Sequence, residues 1–221
     1  NGQNSRDTTK FLPKMKEFLL LITENKLEYL YVIEKNLDSS KFLTEEEIVT
    51  IRSALSTDIA FYEEEKNKIS AVKNWKDAKT LGNEIRMYSE QTLPRLRGLA
   101  GLRILNDAIV LANRVEKISE RLKKNIDALM ASREANTGVF DFDAAYSELE
   151  SSMDSAKENI QTAKAIYLKL IQLKSQDDGA KAREALRAAG EDLKNARKTS
   201  LGITIELMKA KQGSQGSATK K

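Results

Sequence analysis

The sequence predicts an all-α fold: an elongated antiparallel bundle of about five helices, closing in a heptad-patterned hairpin. Three observations carry that expectation. Apolar residues recur at intervals of three or four along most of the chain, which gathers them on one face of a helix. Only two prolines occur in 221 residues, Pro13 and Pro94, so long helices meet few breakers. The composition is 32% charged and only 6% aromatic, a balance that suits long helices packed lengthwise better than a thick globular core.

Residues 1–8 read as a disordered, polar N-terminal segment, and 9–211 as a single helical-bundle domain. The first helix is expected over 9–36, with Pro13 tolerated in its opening turn. Its apolar set (Met15, Phe18, Leu19, Ile22, Leu30 and Ile33) is widened by Leu20, Leu21, Leu27 and Tyr31, more than a single seam needs. The second helix is expected over 45–73. Thr44-Glu45-Glu46-Glu47 has the form of a capping box, and Ile48, Ile51, Leu55, Ile59, Tyr62 and Ile69 follow on one face. A short connection makes these two helices antiparallel neighbours.

The third helix is expected over 77–136, with Trp75 in the preceding loop and Asp77 as N-cap. Leu111, Val115, Ile118, Leu122, Ile126 and Leu129 form its stripe. Its forty-odd residues beyond Pro94 alone would span roughly 60 Å at about 1.5 Å per residue. Pro94 predicts a kink or break, because proline lacks the amide hydrogen and disfavours helix at Leu93. Gly98, Ala100 and Gly101 offer either a narrow surface for a close backbone approach or simply glycines near a helix start. Thr137-Gly138 forms the expected stop.

The fourth and fifth helices are expected over 142–175 and 179–211. Asp141 or Asp143 caps the fourth, with Phe140 or Phe142 packing across the turn. Tyr146, Leu149, Met153, Ala156, Ile160, Ala163, Tyr167 and Leu170 alternate steps of three and four. Ala182, Leu186, Ala189, Leu193, Ala196, Ser200, Ile203 and Leu207 do the same after Asp177-Asp178-Gly179. Both are heptad seams, and alanine at alternate places implies close helix axes. Residues 212–221 read as a flexible basic tail or linker.

Charge and composition exclude several chemistries. The net charge is +4, but Lys209, Lys211, Lys220 and Lys221 account for it, and residues 1–208 balance 33 bases with 33 acids. With no basic stripe on the body, nucleic-acid binding is not expected. Cysteine and histidine are both absent, which removes thiol chemistry, zinc sites built on nitrogen or sulfur, and histidine acid–base catalysis. No apolar run approaches the roughly 20 residues of a membrane-spanning helix. No phosphate-cradling loop, EF-hand loop or nucleophile elbow is present. No catalytic, cofactor-binding or metal-ligating residue is therefore assigned.

Glu45-Glu46-Glu47 and Glu63-Glu64-Glu65 read as a helix start and a solvated face. Tyr29, Tyr31, Tyr62, Tyr88, Tyr146 and Tyr167 read as core. Arg95, Arg97 and Arg103, with Asp107 nearby, read as a solvated basic cluster rather than a site for an anionic partner. The chain begins at Asn1, consistent with a trimmed start or a removed signal peptide.

Tyr88…Leu93-Pro94-Arg95-Leu96-Arg97…Leu99…Arg103 resembles the central segment of a group of exported helical proteins of unknown function in the Candidate Phyla Radiation (Patescibacteria). Leu43-Thr44-Glu45-Glu46-Glu47 and Asp192-Leu193-Lys194-Asn195-Ala196 extend the resemblance. It departs at Leu102, where many members carry an acid before the arginine. The resemblance implies an exported or cell-surface helical protein and supplies no activity. The function expected is a non-enzymatic structural or protein-interaction module of the bacterial cell envelope or exterior, with an unidentified protein partner. The alternative is a lipid- or membrane-surface-binding helical protein that uses its basic C-terminal tail.

Overall fold

A computed structural model of the chain describes residues 3–131, 140–173 and 178–218. Five helices account for nearly all of these residues, and no strand occurs among them: α1 (Gln3–Asn36), α2 (Glu45–Ala71), α3 (Trp75–Ala131), α4 (Phe142–Ile171) and α5 (Gly179–Ala218). The helices pack against one another as an all-α bundle. Packing groups the chain into two compact units. The first comprises Asn1–Ala100 with Tyr167–Gly179, and the second Gly101–Ile166 with Ala180–Lys221.

In the first unit α1 and α2 are antiparallel, since partners on α2 fall in number as those on α1 rise. Lys16 Nζ donates to Ser70 O (2.8 Å), Glu24 pairs with Lys66 (2.8 Å), and Tyr31 donates to Glu63 (2.5 Å). The capping box at Thr44 forms as expected, with Glu47 N donating to Thr44 Oγ1 and Thr44 N to the Glu47 carboxylate. α2 stops at Ala71, short of the expected Lys73, because Val72 turns extended at ψ 130°. Lys16 also reaches Val72 O at 3.2 Å and so covers carbonyls the helix leaves open. Buried Leu19, Leu27 and Leu30 face inward from α1, while Phe18, Leu21 and Tyr31, expected in its core set, are exposed.

α3 begins at Trp75, two places before expectation, because Asn74 and not Asp77 caps it. Asn74 Oδ1 accepts from Asp77 N at 2.9 Å, and Asn74 Nδ2 donates to the Asp77 carboxylate at 2.7 Å. Of the kink or break expected at Pro94, the break does not occur: the helix is continuous through it. An interior proline costs about 3 kcal/mol in an isolated helix. Here buried residues on both sides (Ile85, Thr92, Arg95 and Leu99) hold the flanking turns in place.

In the second unit Val115, Leu122, Ile126 and Leu129 of α3 are buried as expected, but Leu111 and Ile118 are exposed. Ala112 and Ser119 occupy those seam places instead, which continues the alternation of three and four through 115, 119, 122, 126 and 129. Apolarity singled out Ile118, whereas the period favours Ser119, whose hydroxyl donates to Tyr146 OH at 3.1 Å. Asp141 rather than Asp143 caps α4, accepting from Ala144 N at 2.9 Å. Phe140 and Phe142 meet edge to face at 4.9 Å.

The α4 and α5 seams lie where the periodicity puts them: from Leu149 to Leu170 every seam residue is buried. On α5 the seam is buried from Ala189 to Leu207, with Ala185 buried in place of the half-buried Leu186. Asp192 bridges the pair, accepting from Ser155 (2.8 Å) and Asn159 (3.1 Å). α1 starts at Gln3 rather than Thr9, so Pro13 lies in its interior and not in its opening turn, and α5 continues past Lys211, since extending an existing helix costs far less than nucleating one. α4 ends at Ile171, short of the expected 175, because the chain turns at Gln172 and Leu173. The expected stop at Thr137-Gly138 and the end of the third helix at Asn136 lie outside the described residues.

Candidate functional site

The least ordinary chemistry in the molecule lies inside the first unit, where polar groups take places that the helical period reserves for the core. The inward face of α2 reads Ile51, Leu55, Asp58, Tyr62, Glu65 and Ile69, alternating steps of four and three. Asp58 and Glu65 are each 1% exposed. Across from them, α3 presents Tyr88, Thr92 and Arg95 two helical turns apart on one face, and Arg95 is only 9% exposed.

These side chains converge on one carboxylate. Tyr88 OH donates to Asp58 Oδ1 at 2.7 Å, and Arg95 Nη1 donates to the same oxygen in a short charge-assisted bond. Arg95 does more than neutralise Asp58. Its Nε donates to Ile171 O at 3.0 Å, and Nη1 also lies 3.3 Å from Ala54 O. Ile171 is the last residue of α4, so the guanidinium sits on a carbonyl that the helix end leaves unsatisfied, at the negative pole of its dipole. One arginine on α3 thus ties α2 to the end of α4.

Sterics complete the joint. A β-carbon at Gly98 would lie 2.7 Å from Tyr167 O and 2.8 Å from Ile171 Cγ1, so only glycine lets the last turn of α4 rest directly on α3. The close approach open to Gly98 in the sequence is therefore real. Beyond Ile171 the chain turns through Leu173, whose φ of 55° lies in the left-handed region. Aromatic rings wall the other side. Phe61 stacks on Tyr88 at 3.6 Å, Tyr62 meets Tyr88 edge to face at 5.7 Å, and Tyr62 OH bonds Ser89 Oγ at 2.9 Å.

The electrostatics follow from enclosure. Burial pushes the Asp58 carboxyl above the usual carboxylate range, against the opposing pull of the Tyr88 hydroxyl and Arg95. Burial likewise raises Tyr62 and Tyr88, the latter further through its bond to Asp58. Asp58 Oδ2 and Glu65 Oε2 have no hydrogen-bond partner among the described residues, while Glu65 Oε1 pairs with Lys68 at 2.8 Å. Two open grooves flank α1, one lined by Leu27, Tyr31, Val32 and Glu63, the other by Leu12, Leu20, Leu21 and Val72. Neither includes a member of the Asp58 cluster. Apart from Asp58 Oδ2, its donors and acceptors are engaged with one another and with backbone carbonyls, an arrangement suited to cross-linking helices.

Three sequence readings change here. Arg95 leaves the solvated basic cluster for the core, whereas Arg97 and Arg103 remain exposed. Glu65 leaves the solvated face on which Glu63 and Glu64 stay. Tyr62 and Tyr167 are core as expected, while Tyr29 and Tyr31 are exposed and Tyr88 is half-buried with its hydroxyl on Asp58. Asp58 went unmarked by the sequence reading, although its place midway between Leu55 and Tyr62 on the α2 seam is a visible signal. Among the described residues no group of three or more acidic side chains is placed to hold a metal ion, and no helix is long and apolar enough to cross a membrane. No family model matches the chain, and neither a curated protein nor a solved structure matches it significantly.

Proposed function

We propose that this chain is a structural or protein-interaction module, and that the outer face of α1 is the surface through which it acts. The observation that carries this reading is the row of large apolar side chains left in solvent there. Phe11, Phe18, Leu21 and Val32 are each more than half exposed, and Tyr29 is 38% exposed. A soluble helix ordinarily turns such residues inward, and a contiguous exposed patch of this kind marks an interaction surface. Polar chemistry is arranged the opposite way, with Asp58, Glu65 and Arg95 enclosed where they brace helices. The resemblance noted in the sequence adds the bacterial cell envelope or exterior as the place of action.

The membrane-surface alternative has less support. Glu17, Glu24 and Glu28 border or interrupt the row, and anionic headgroups would repel them. Affinity capture from the native source tests the interaction reading: Phe18→Asp should abolish retention of partners while leaving the far-UV circular dichroism unchanged. Retention equal to wild type would refute it. Flotation with anionic vesicles tests the alternative, and salt-insensitive failure to bind would remove it.

A further inference from the structure

We infer that the partner for the outer face of α1 is a second copy of the same chain, paired antiparallel about a two-fold axis near Leu21. This rests on the interaction reading above and adds the identity and orientation of the partner. Phe11, Phe18, Asn25 and Val32 follow one another at seven-residue spacing, and Lys14, Leu21, Glu28 and Lys35 do the same on the adjoining line. Together they form a heptad seam distinct from the buried seam of Leu19, Thr23, Leu27 and Leu30. α1 therefore carries two seams, and the first unit covers only one of them.

Charge decides both the occupant and its direction. Lys14 and Glu28 lie on the exposed row at equal distances either side of Leu21. In an antiparallel pair centred there, Lys14 of each copy comes within reach of Glu28 of the other, so the row is complementary to itself. A parallel pair would set Lys14 against Lys14 and Glu28 against Glu28. Self-complementarity is what an isologous two-fold interface requires. Of the acids bordering the row, Glu24 is already held by Lys66 at 2.8 Å, which lessens repulsion across the axis. The apolar row offers a few hundred Å² per copy, below the roughly 800 Å² per partner of a stable dimer, so the pairing expected is weak and concentration-dependent.

The full chain contains no cysteine, so single cysteines report the geometry cleanly. Sedimentation velocity over a concentration series should show a monomer–dimer equilibrium that Phe18→Asp abolishes. Lys14→Glu should weaken the dimer roughly tenfold by turning two attractions into repulsions, and the double variant Lys14→Glu/Glu28→Lys should restore it. On oxidation, Leu21→Cys should give a covalent dimer. Lys14→Cys mixed with Glu28→Cys should give a mixed dimer, and Lys14→Cys alone should give none. A chain that stays monomeric at every concentration overturns self-pairing, as does a dimer indifferent to Phe18→Asp or one cross-linked through Lys14→Cys alone. The two readings fail separately. Native capture lost in Phe18→Asp from a chain that is always monomeric would overturn the second copy and leave the interaction surface standing.

Discussion

Arg95 is the residue whose removal should be felt most widely in the first unit, and a double-mutant cycle with Asp58 measures why. Arg95→Met keeps the length of the stem but takes away the cation. That leaves a carboxylate which is 1% exposed with only Tyr88 for support, and it strips the donor from Ile171 O. Breaking a buried pair from one side costs about 3–5 kcal/mol, chiefly because the stranded charge stays buried. Asp58→Leu should cost about 3 kcal/mol for the same reason in reverse, softened because Arg95 retains Ile171 O and Ala54 O as acceptors. The double variant strands no charge and should be no worse than Arg95→Met alone, which implies a coupling of about 3 kcal/mol. Trp75 is the chain's one tryptophan and belongs to the first unit, so its fluorescence during urea unfolding reports that unit specifically. If the two single costs simply add in the double variant, to within about 0.5 kcal/mol, the residues are independent and the cross-link is not what holds these helices.

Gly98→Ala should lower stability by about 1–3 kcal/mol despite alanine's better helix propensity, because its β-carbon would meet the Tyr167 carbonyl oxygen and Ile171 Cγ1 within 3 Å. Gly190→Ala and Gly202→Ala meet nothing within 4 Å, so each should raise stability by about 0.5–1 kcal/mol. Thermal melts of the three variants therefore give opposite signs for the same change. Ala163→Leu and Ala189→Leu, both at seam places with no exposure, should each cost about 1–3 kcal/mol, and unchanged melting in both would contradict the α4–α5 packing. Asp58 titrates upward of its ordinary 3.8 in the fold, so the folded state binds its proton more readily than the unfolded chain does. Its contribution is therefore most favourable below 3.8 and is lost as pH rises through the folded value. The stability gap between wild type and Asp58→Asn should shift in favour of wild type on going from about pH 7 to about pH 4, read by Trp75 fluorescence. A shift of the opposite sign would mean that Arg95 and Tyr88 outweigh burial.

The seams of α4 and α5 were legible because both halves of the signal agreed: the period was regular and the residues on it were apolar or alanine. Where the two halves disagreed, the period was the better guide. Ile118 lost its expected place to Ser119, and Leu111 to Ala112, because a heptad line holds its register whatever side chain stands on it. The break expected at Pro94 gave way likewise. Pro94 carries a strong local preference to end a helix, yet α3 continues, since tertiary packing on both flanks exceeds what one missing hydrogen bond costs.

The Asp58 cluster stayed out of sight for a related reason. Composition and motif searches look for polar residues near each other in sequence, and Asp58, Tyr88, Arg95 and Ile171 come from three helices. The cluster's buried polar members were nevertheless marked by a mismatch between chemistry and place. Asp58 and Glu65 stand on the apolar line of α2, while Thr92 and Arg95 stand on that of α3. The converse mismatch marks Phe11, Phe18, Leu21 and Val32, apolar residues off the buried line of α1. Polar side chains on the buried line must be satisfied from within, so they bind elements of the fold to each other. Apolar side chains off that line have nothing inside to bind and stay exposed among the described residues. In a bundle without histidine or cysteine, those two kinds of exception separate the side chains that hold the helices together from those left on the surface.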